Sequence, residues 1–195
     1  MPTRGTIDVM NTVIRRPIVA LACVLAPLVH ATSPSPYAGQ QAREIKALSS
    51  AEQADLLAGK GMGLAKAAEL NGYPGPAHVL ELAADLALSA EQRERTQTLW
   101  QAMDARARSI GQAVIDAERE LDALFASKQA TRERLAAQLD RIAALQAQLR
   151  AVHLDAHLEQ VRILTPEQTS RYAALRGYAG AAGAPSGHGT GAHKH

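Results

Sequence analysis

The chain has 195 residues, of which 47% are hydrophobic and only 3% are aromatic, and its formal net charge is +2 when histidine is neutral. This length suits one modest domain. Ala and Leu supply most of the apolar content, and a chain so poor in β-branched and aromatic residues argues against a β-rich architecture. We therefore expect an all-α protein with a thin core.

The first 31 residues have the features of an export signal. Arg15 and Arg16 give a positive start, residues 17–29 are an apolar stretch, and Ala31 ends a segment suited to cleavage. The apolar stretch is shorter than the roughly 20 residues that a bilayer span requires. The sequence therefore predicts a periplasmic protein whose signal peptide, residues 1–31, is cleaved. The alternative is an inner-membrane anchor formed by residues 17–29.

Cleavage after Ala31 would leave a neutral chain without cysteine. The signal contains three basic residues, one acidic residue and Cys23, so 18 basic and 18 acidic residues remain. A neutral chain gives no electrostatic basis for nucleic-acid binding. Without cysteine, disulfides, thiol catalysis and cysteine-based zinc sites are excluded. Since no nucleophile–base pair, phosphate loop or HExxH motif is present either, we expect no enzyme activity and no required cofactor.

Short elements precede the main domain. Residues 32–47, rich in Ser and Pro at their start, are expected to form an exposed linker. A short helix is predicted from Ser49 or Ser50 to about Gly59, a second over about 64–70 and a third over about 76–87. Glycine and proline breaks separate the three.

A phrase of the form Leu-Ser/Thr-x-x-Gln occurs twice, 76 residues apart. The hydroxyl can cap a helix while the glutamine returns a bond to the cap residue, which is a capping box. In the second copy a proline falls at the first helical position, where it costs no hydrogen bond. The motif residues are Leu88, Ser89, Gln92, Leu164, Thr165, Pro166 and Gln168.

Between the two motifs the sequence predicts two long helices. The first runs from Ser89 to about Phe125, and the second is capped by Thr131 and runs to about Ile163. Apolar residues recur at spacings of three and four along both, and the short connection makes them antiparallel neighbours. A last helix is expected from Thr165 to near Gly177. Residues 48–178 should thus form a helical-hairpin domain with short flanking helices, and its thin core suggests a homodimer.

The paired motifs, with Ala156-His157-Leu158-Glu159 just before the second one, resemble the Spy/CpxP family of periplasmic stress proteins. The resemblance covers about residues 80–178. It implies an ATP-independent chaperone or stress adaptor that binds unfolded client proteins on the hairpin. A membrane sensor kinase or an anti-sigma factor is a further implied partner. The residues expected at a client surface or dimer seam are Trp100, Met103 and Phe125.

A metal site is the alternative function. His153 and His157 are four residues apart, so they share one helix face. That face continues the row of apolar residues along the second long helix. Neutral imidazoles bind Zn, Ni, Cu or Co, and His78, Glu81 or Glu159 could complete the ligand set. The resemblance supports this idea, because the family includes periplasmic heavy-metal sensors. The competing interpretation is that the apolar face of the helix ends here and that both histidines contact water or a carboxylate.

The last 17 residues, 179–195, are rich in Gly, Ala and Ser and cannot form a core, so we expect them to be disordered. Three histidines in this tail are candidate weak metal ligands without fixed geometry: His188, His193 and His195.

Overall fold

The computed structural model describes residues 35–178, which contain helices, turns and loops and no β-strand. The predicted all-α fold is confirmed. Within this range, no helix combines the length and the apolar character of a membrane span. The expected signal peptide and histidine tail lie outside the described residues. The elements are a 3₁₀ turn, Gln40–Ala42, and the helices α1 (Ser50–Leu57), α2 (Lys66–Glu69), α3 (Pro76–Glu81), α4 (Ala90–Ala126), α5 (Arg132–Ile163) and α6 (Pro166–Leu175).

Helices α4 and α5 form the predicted antiparallel hairpin. They contain 37 and 32 residues, so each is about 50 Å long at 1.5 Å per residue. The turn between them uses Lys128 at a φ of 60°, and the Ser127 hydroxyl donates a hydrogen bond to the Ala123 carbonyl oxygen at 2.7 Å. Thr131 then caps α5 by accepting from the Arg134 backbone N–H. The chain therefore reverses over five residues.

The two repeated motifs meet in space. Ser89 and Thr165 each form the predicted capping box, with Gln92 and Gln168 as the returning residues. The two glutamine amides also bond to each other: Gln92 Nε2 donates to Gln168 Oε1 at 2.8 Å, and Gln168 Nε2 donates to Gln92 Oε1 at 3.0 Å. This reciprocal pair joins the start of α4 to the start of α6. The same glutamine thus closes its own cap and contacts the other motif.

The second donor of each glutamine amide binds a backbone carbonyl just before the other motif. Gln92 reaches the Ile163 oxygen at 2.9 Å, and Gln168 reaches the Leu86 oxygen at 3.2 Å. These carbonyls would otherwise lack a partner near a helix end. The repeated phrase therefore fixes how the ends of the hairpin and α6 meet, which a single capping box cannot do.

The core consists of two apolar clusters. The first joins α1 to the hairpin and contains Ile45, Leu56, Ala107, Val114, Ile115, Leu149 and Val152. The second joins α3 to α6 and contains Val79, Leu86, Leu164 and Tyr172. The predicted apolar faces of α4 and α5 are only partly buried, since Phe125 is 54% and Leu139 48% exposed. A contact between two helices buries only the narrow strips that face each other, and on α4 much of that strip is small residues such as Ala107, Gly111 and Ala117.

Two predicted segments differ from the structure. The expected exposed linker, residues 32–47, is partly packed within its described residues, 35–47: Ile45 is fully buried, and Lys46 pairs with Asp122 at 3.0 Å. The third helix was expected to reach about Ala87 but ends at Glu81, and turns follow. Ala87 takes a left-handed φ of 49°, which ends the helical path immediately before the Leu88-Ser89 cap.

Candidate functional site

A cavity of about 570 Å³ lies between the short helices and the hairpin. It brings together all three of the predicted histidine ligands in the described residues, along with two of the residues expected at a client surface. Its walls also carry residues that the sequence interpretation did not include. The side chains that matter below are Met62, Glu69, His78, Trp100, Met103, Asp104, Arg108, His153, His157 and Tyr178.

His153 is a buried histidine whose Nε2 has no hydrogen-bond partner within residues 35–178. Its side chain comes from α5 and is only 4% exposed. Burial, and then the neighbouring His157, lower the pKa of His153, while Asp104 acts in the opposite direction. The imidazole is therefore neutral at neutral pH. Neutral imidazole with a free ring nitrogen is the form that binds transition metals.

His157 lies one turn further along α5 and is positioned by the turn before α3. Its Nδ1 is 2.6 Å from the Tyr73 carbonyl oxygen, so an Nδ1–H donates there and Nε2 is the ring nitrogen left for another partner. Gly75 allows this approach, because a Cβ at that position would lie 3.0 Å from Nε2 and 2.9 Å from Cε1. Metal-binding histidines commonly donate their second ring nitrogen to a carbonyl in this way.

Glu69 is the carboxylate at the centre of the site. Its Oε1 accepts a hydrogen bond from Tyr172 at 2.5 Å and one from Tyr178 at 3.2 Å. Arg176 Nε lies 3.4 Å from the same oxygen. Its other oxygen, Oε2, is buried without a hydrogen bond and lies 3.8 Å from His157 Nδ1. Glu69 therefore lies between His157 and α6.

The third histidine is on the opposite side of this carboxylate. His78 Nδ1 lies 3.7 Å from Glu69 Oε1 and 3.4 Å from the Tyr172 hydroxyl. Tyr172 is 1% exposed, and both burial and Glu69 raise the pKa of its hydroxyl. The hydroxyl therefore stays protonated and remains a hydrogen-bond donor to the carboxylate.

Two of the proposed completing ligands are not at the cavity. Glu159 is exposed and pairs with Arg162 at 2.7 Å, and Glu81 is exposed at the end of α3. Glu69 is the carboxylate that reaches the histidines, and the sequence analysis missed it. No local pattern marks Glu69, because its partners lie up to 109 residues further along the chain.

The predicted client surface is divided between two places. Trp100 and Met103 line the histidine cavity, whereas Phe125 is near the other end of α4. Twenty-two residues of helix separate Met103 from Phe125, which corresponds to about 33 Å. The three tail histidines lie outside the described residues.

The donors present are consistent with a metal site but do not form a finished ligand cage. In the range 35–178, no three His, Cys, Asp or Glu side chains converge as a group that could hold an ion. What fits is a pair of buried imidazoles, one with an unpartnered Nε2, beside a carboxylate with an unpartnered oxygen.

Comparison with known proteins identifies the family. The sequence pattern of a family described as heavy-metal resistance matches residues 61–171, more than half of the chain. This family lies within the Spy/CpxP-like group of helical periplasmic proteins. No curated protein and no solved structure matches the chain. The matched segment includes both repeated motifs and the cavity residues Glu69, His78, His153 and His157. Because the match covers more than half of the chain, the chain belongs to the heavy-metal resistance family.

Proposed function

We propose that this protein works in the periplasm as a heavy-metal sensor or buffer that binds a transition-metal ion at His153 and His157. The observation that supports this function is the buried Nε2 of His153, which has no hydrogen-bond partner among the described residues. An unpartnered polar atom in a protein interior destabilises the fold, and a bound ion is one explanation for keeping such an atom. The family match is consistent with that function, because it concerns heavy-metal resistance.

Each cavity residue has a separate task in this proposal. His153 and His157 would hold the ion through their free ring nitrogens, and Glu69 and His78 are the nearest further donors. Zn, Ni, Co and Cu all suit imidazole ligands. The Tyr73 carbonyl fixes the tautomer of His157, and Tyr172 and Tyr178 hold the carboxylate in place. The tail histidines His188, His193 and His195 would add weak, unstructured sites.

Calorimetric titration tests the proposed site. Because the tail could mask the result, Zn, Ni, Co and Cu(II) are titrated into the full chain carrying His188→Ala, His193→Ala and His195→Ala. We expect one site per chain, and adding His153→Ala and His157→Ala should weaken it about 100-fold or more, since both principal ligands are removed. Glu159→Gln is the matched control and should leave the affinity unchanged. Binding that survives loss of both helix histidines would contradict the proposal.

The chaperone hypothesis stays open as the second candidate function. It is supported by the half-exposed apolar residues Phe125 and Leu139 on the hairpin. An ATP-independent chaperone or stress adaptor would use such residues for transient contact with unfolded clients, as a homodimer or beside a membrane sensor kinase or an anti-sigma factor.

Light scattering of a denatured client tests the chaperone hypothesis. We expect stoichiometric protein to suppress scattering, and Phe125→Ser with Leu139→Ser to remove most of that suppression, because the apolar contact area is lost. Leu175→Ser, which changes a comparably exposed leucine on α6, is the control. Absence of suppression at every ratio would rule this function out.

A further inference from the structure

The histidine cavity also contains two sulfur donors. Met62 and Met103 line the same cavity as His153, the first from the loop after α1 and the second from α4. Met103 is half-buried, and its side chain also packs against the first apolar cluster. Thioethers are soft donors that select soft ions, whereas carboxylates and waters suit hard ones. The cavity therefore has more than imidazole and carboxylate chemistry available.

The loop that carries Met62 packs against the unpartnered histidine. A Cβ on Gly61 would lie 3.7 Å from His153 Nδ1, so the loop backbone lies against the imidazole ring. Met62 itself has a φ of 46°, a left-handed conformation that is uncommon for a residue with a side chain. Such conformations are unfavourable and are concentrated at functional sites. Met62 therefore follows directly on the residue that contacts the His153 ring, and its side chain is 47% exposed.

One oxygen of each of two cavity carboxylates, Glu69 and Asp104, already has partners. Glu69 Oε1 receives two tyrosine hydroxyls and lies near Arg176. Asp104 Oδ2 accepts a hydrogen bond from Arg108 Nε at 2.7 Å. Among the described residues, the donors without such partners include Glu69 Oε2, the neutral imidazole of His153 and the two thioethers, and the last three carry no charge. The solvation cost of burying an ion rises with the square of its charge, so neutral donors favour a monovalent ion over a divalent one.

We propose that the cavity binds a soft monovalent ion, Cu(I) or Ag(I), through His153 and the thioethers of Met62 and Met103. This inference rests on the proposed metal-binding function and specifies its ion class. Cu(I) and Ag(I) accept two or three ligands, which agrees with the lack of a larger His, Cys, Asp or Glu group in residues 35–178. Trp100 on the same wall presents an aromatic ring to the cavity, and such rings attract cations.

Silver nitrate in chloride-free buffer is the probe, because Ag(I) has soft-ion chemistry without the redox instability of Cu(I). Titrations use the full chain with the three tail histidines changed to alanine, and Zn and Ni are titrated in parallel. Met62→Leu and Met103→Leu keep the side-chain volume and remove the sulfur. We expect each to weaken Ag(I) binding about tenfold or more and to leave any Zn or Ni binding within about twofold. X-ray absorption of the Ag(I)-loaded chain should detect sulfur neighbours, and the double leucine variant should lose them.

The outcomes separate this inference from the proposed function. Unchanged Ag(I) binding by the double leucine variant, or an absorption spectrum without sulfur, overturns the thioether site. Tight Zn or Ni binding through the helix histidines without Ag(I) binding overturns the inference and leaves the proposed function intact. Binding of no ion overturns both. If circular dichroism shows that a leucine variant is misfolded, the absorption spectrum of the chain with both methionines still shows whether sulfur binds Ag(I).

Discussion

Replacing Gly111 with leucine is expected to lower the free energy of unfolding by about 3 kcal/mol. Gly111 is buried in the middle of α4, where α1 crosses it. A Cβ at this position would lie 2.4 Å from the Leu56 carbonyl oxygen and 2.9 Å from its carbonyl carbon. Both atoms are backbone, so the conflict can be relieved only by moving α1 away from the hairpin.

Gly111→Ala tests the same close contact through the sign of the stability change. In an exposed helix, Gly→Ala stabilises by about 1 kcal/mol through helix propensity. At Gly111 we expect the opposite sign, because the close approach outweighs the propensity gain. Denaturant unfolding monitored by circular dichroism measures the difference, and Gln112→Ala, an exposed neighbour on the same helix, is the control. An alanine variant more stable than the unmodified chain would show that α1 does not pack this closely.

The same substitution should affect the cavity. Helix α1 leads directly into the loop of Gly59, Gly61 and Met62, and a Cβ on Gly59 would lie 3.0 Å from Asp104 Oδ1. The loop therefore also packs closely against α4, although less closely than α1 does. Moving α1 would move the loop off the His153 ring, so we expect metal binding to weaken together with stability in the Gly111 series.

The features that the sequence predicted are the ones with local signals. The caps at Ser89, Thr131 and Thr165 are encoded within four residues, and the structure has all three. The hairpin follows from two long helices and a short connection. The shared face of His153 and His157 follows from their spacing of four residues. Each of these inferences required only the geometry of one helix or one turn.

The features that the sequence did not reveal depend on packing between distant segments. Glu69 belongs to a four-residue helix without a distinctive pattern, and Tyr172 and Tyr178 identify it only in three dimensions. Ile45 appeared to belong to a linker because its burial depends on the hairpin. The mutual pairing of Gln92 and Gln168 was equally hidden, although both residues were correctly assigned to caps. Long-range contacts, rather than local propensity, complete the site.

Replacing Tyr172 with alanine should cost about 4 kcal/mol of unfolding free energy, the range typical of large aromatic side chains in cores. Tyr172 is 1% exposed and belongs to the second apolar cluster with Val79, Leu86 and Leu164. Its hydroxyl is also the closest donor to the buried Glu69 carboxylate. Tyr172→Phe keeps the ring and removes only that donor, so a smaller loss of about 1–3 kcal/mol is expected.

Comparing the alanine and phenylalanine variants separates packing from support of the carboxylate, and metal titration gives the comparison a second readout. With the Tyr172 hydroxyl gone, Glu69 loses a hydrogen bond that holds its carboxylate in place, so Tyr172→Phe should lower both the affinity for Zn or Ni and the stability. Tyr178→Phe is the matched control, because its hydroxyl lies further from Glu69, at 3.2 Å, and it should show both effects more weakly. A phenylalanine variant with unmodified stability and unmodified metal affinity would mean that Tyr172 serves the core alone and that Glu69 does not depend on α6.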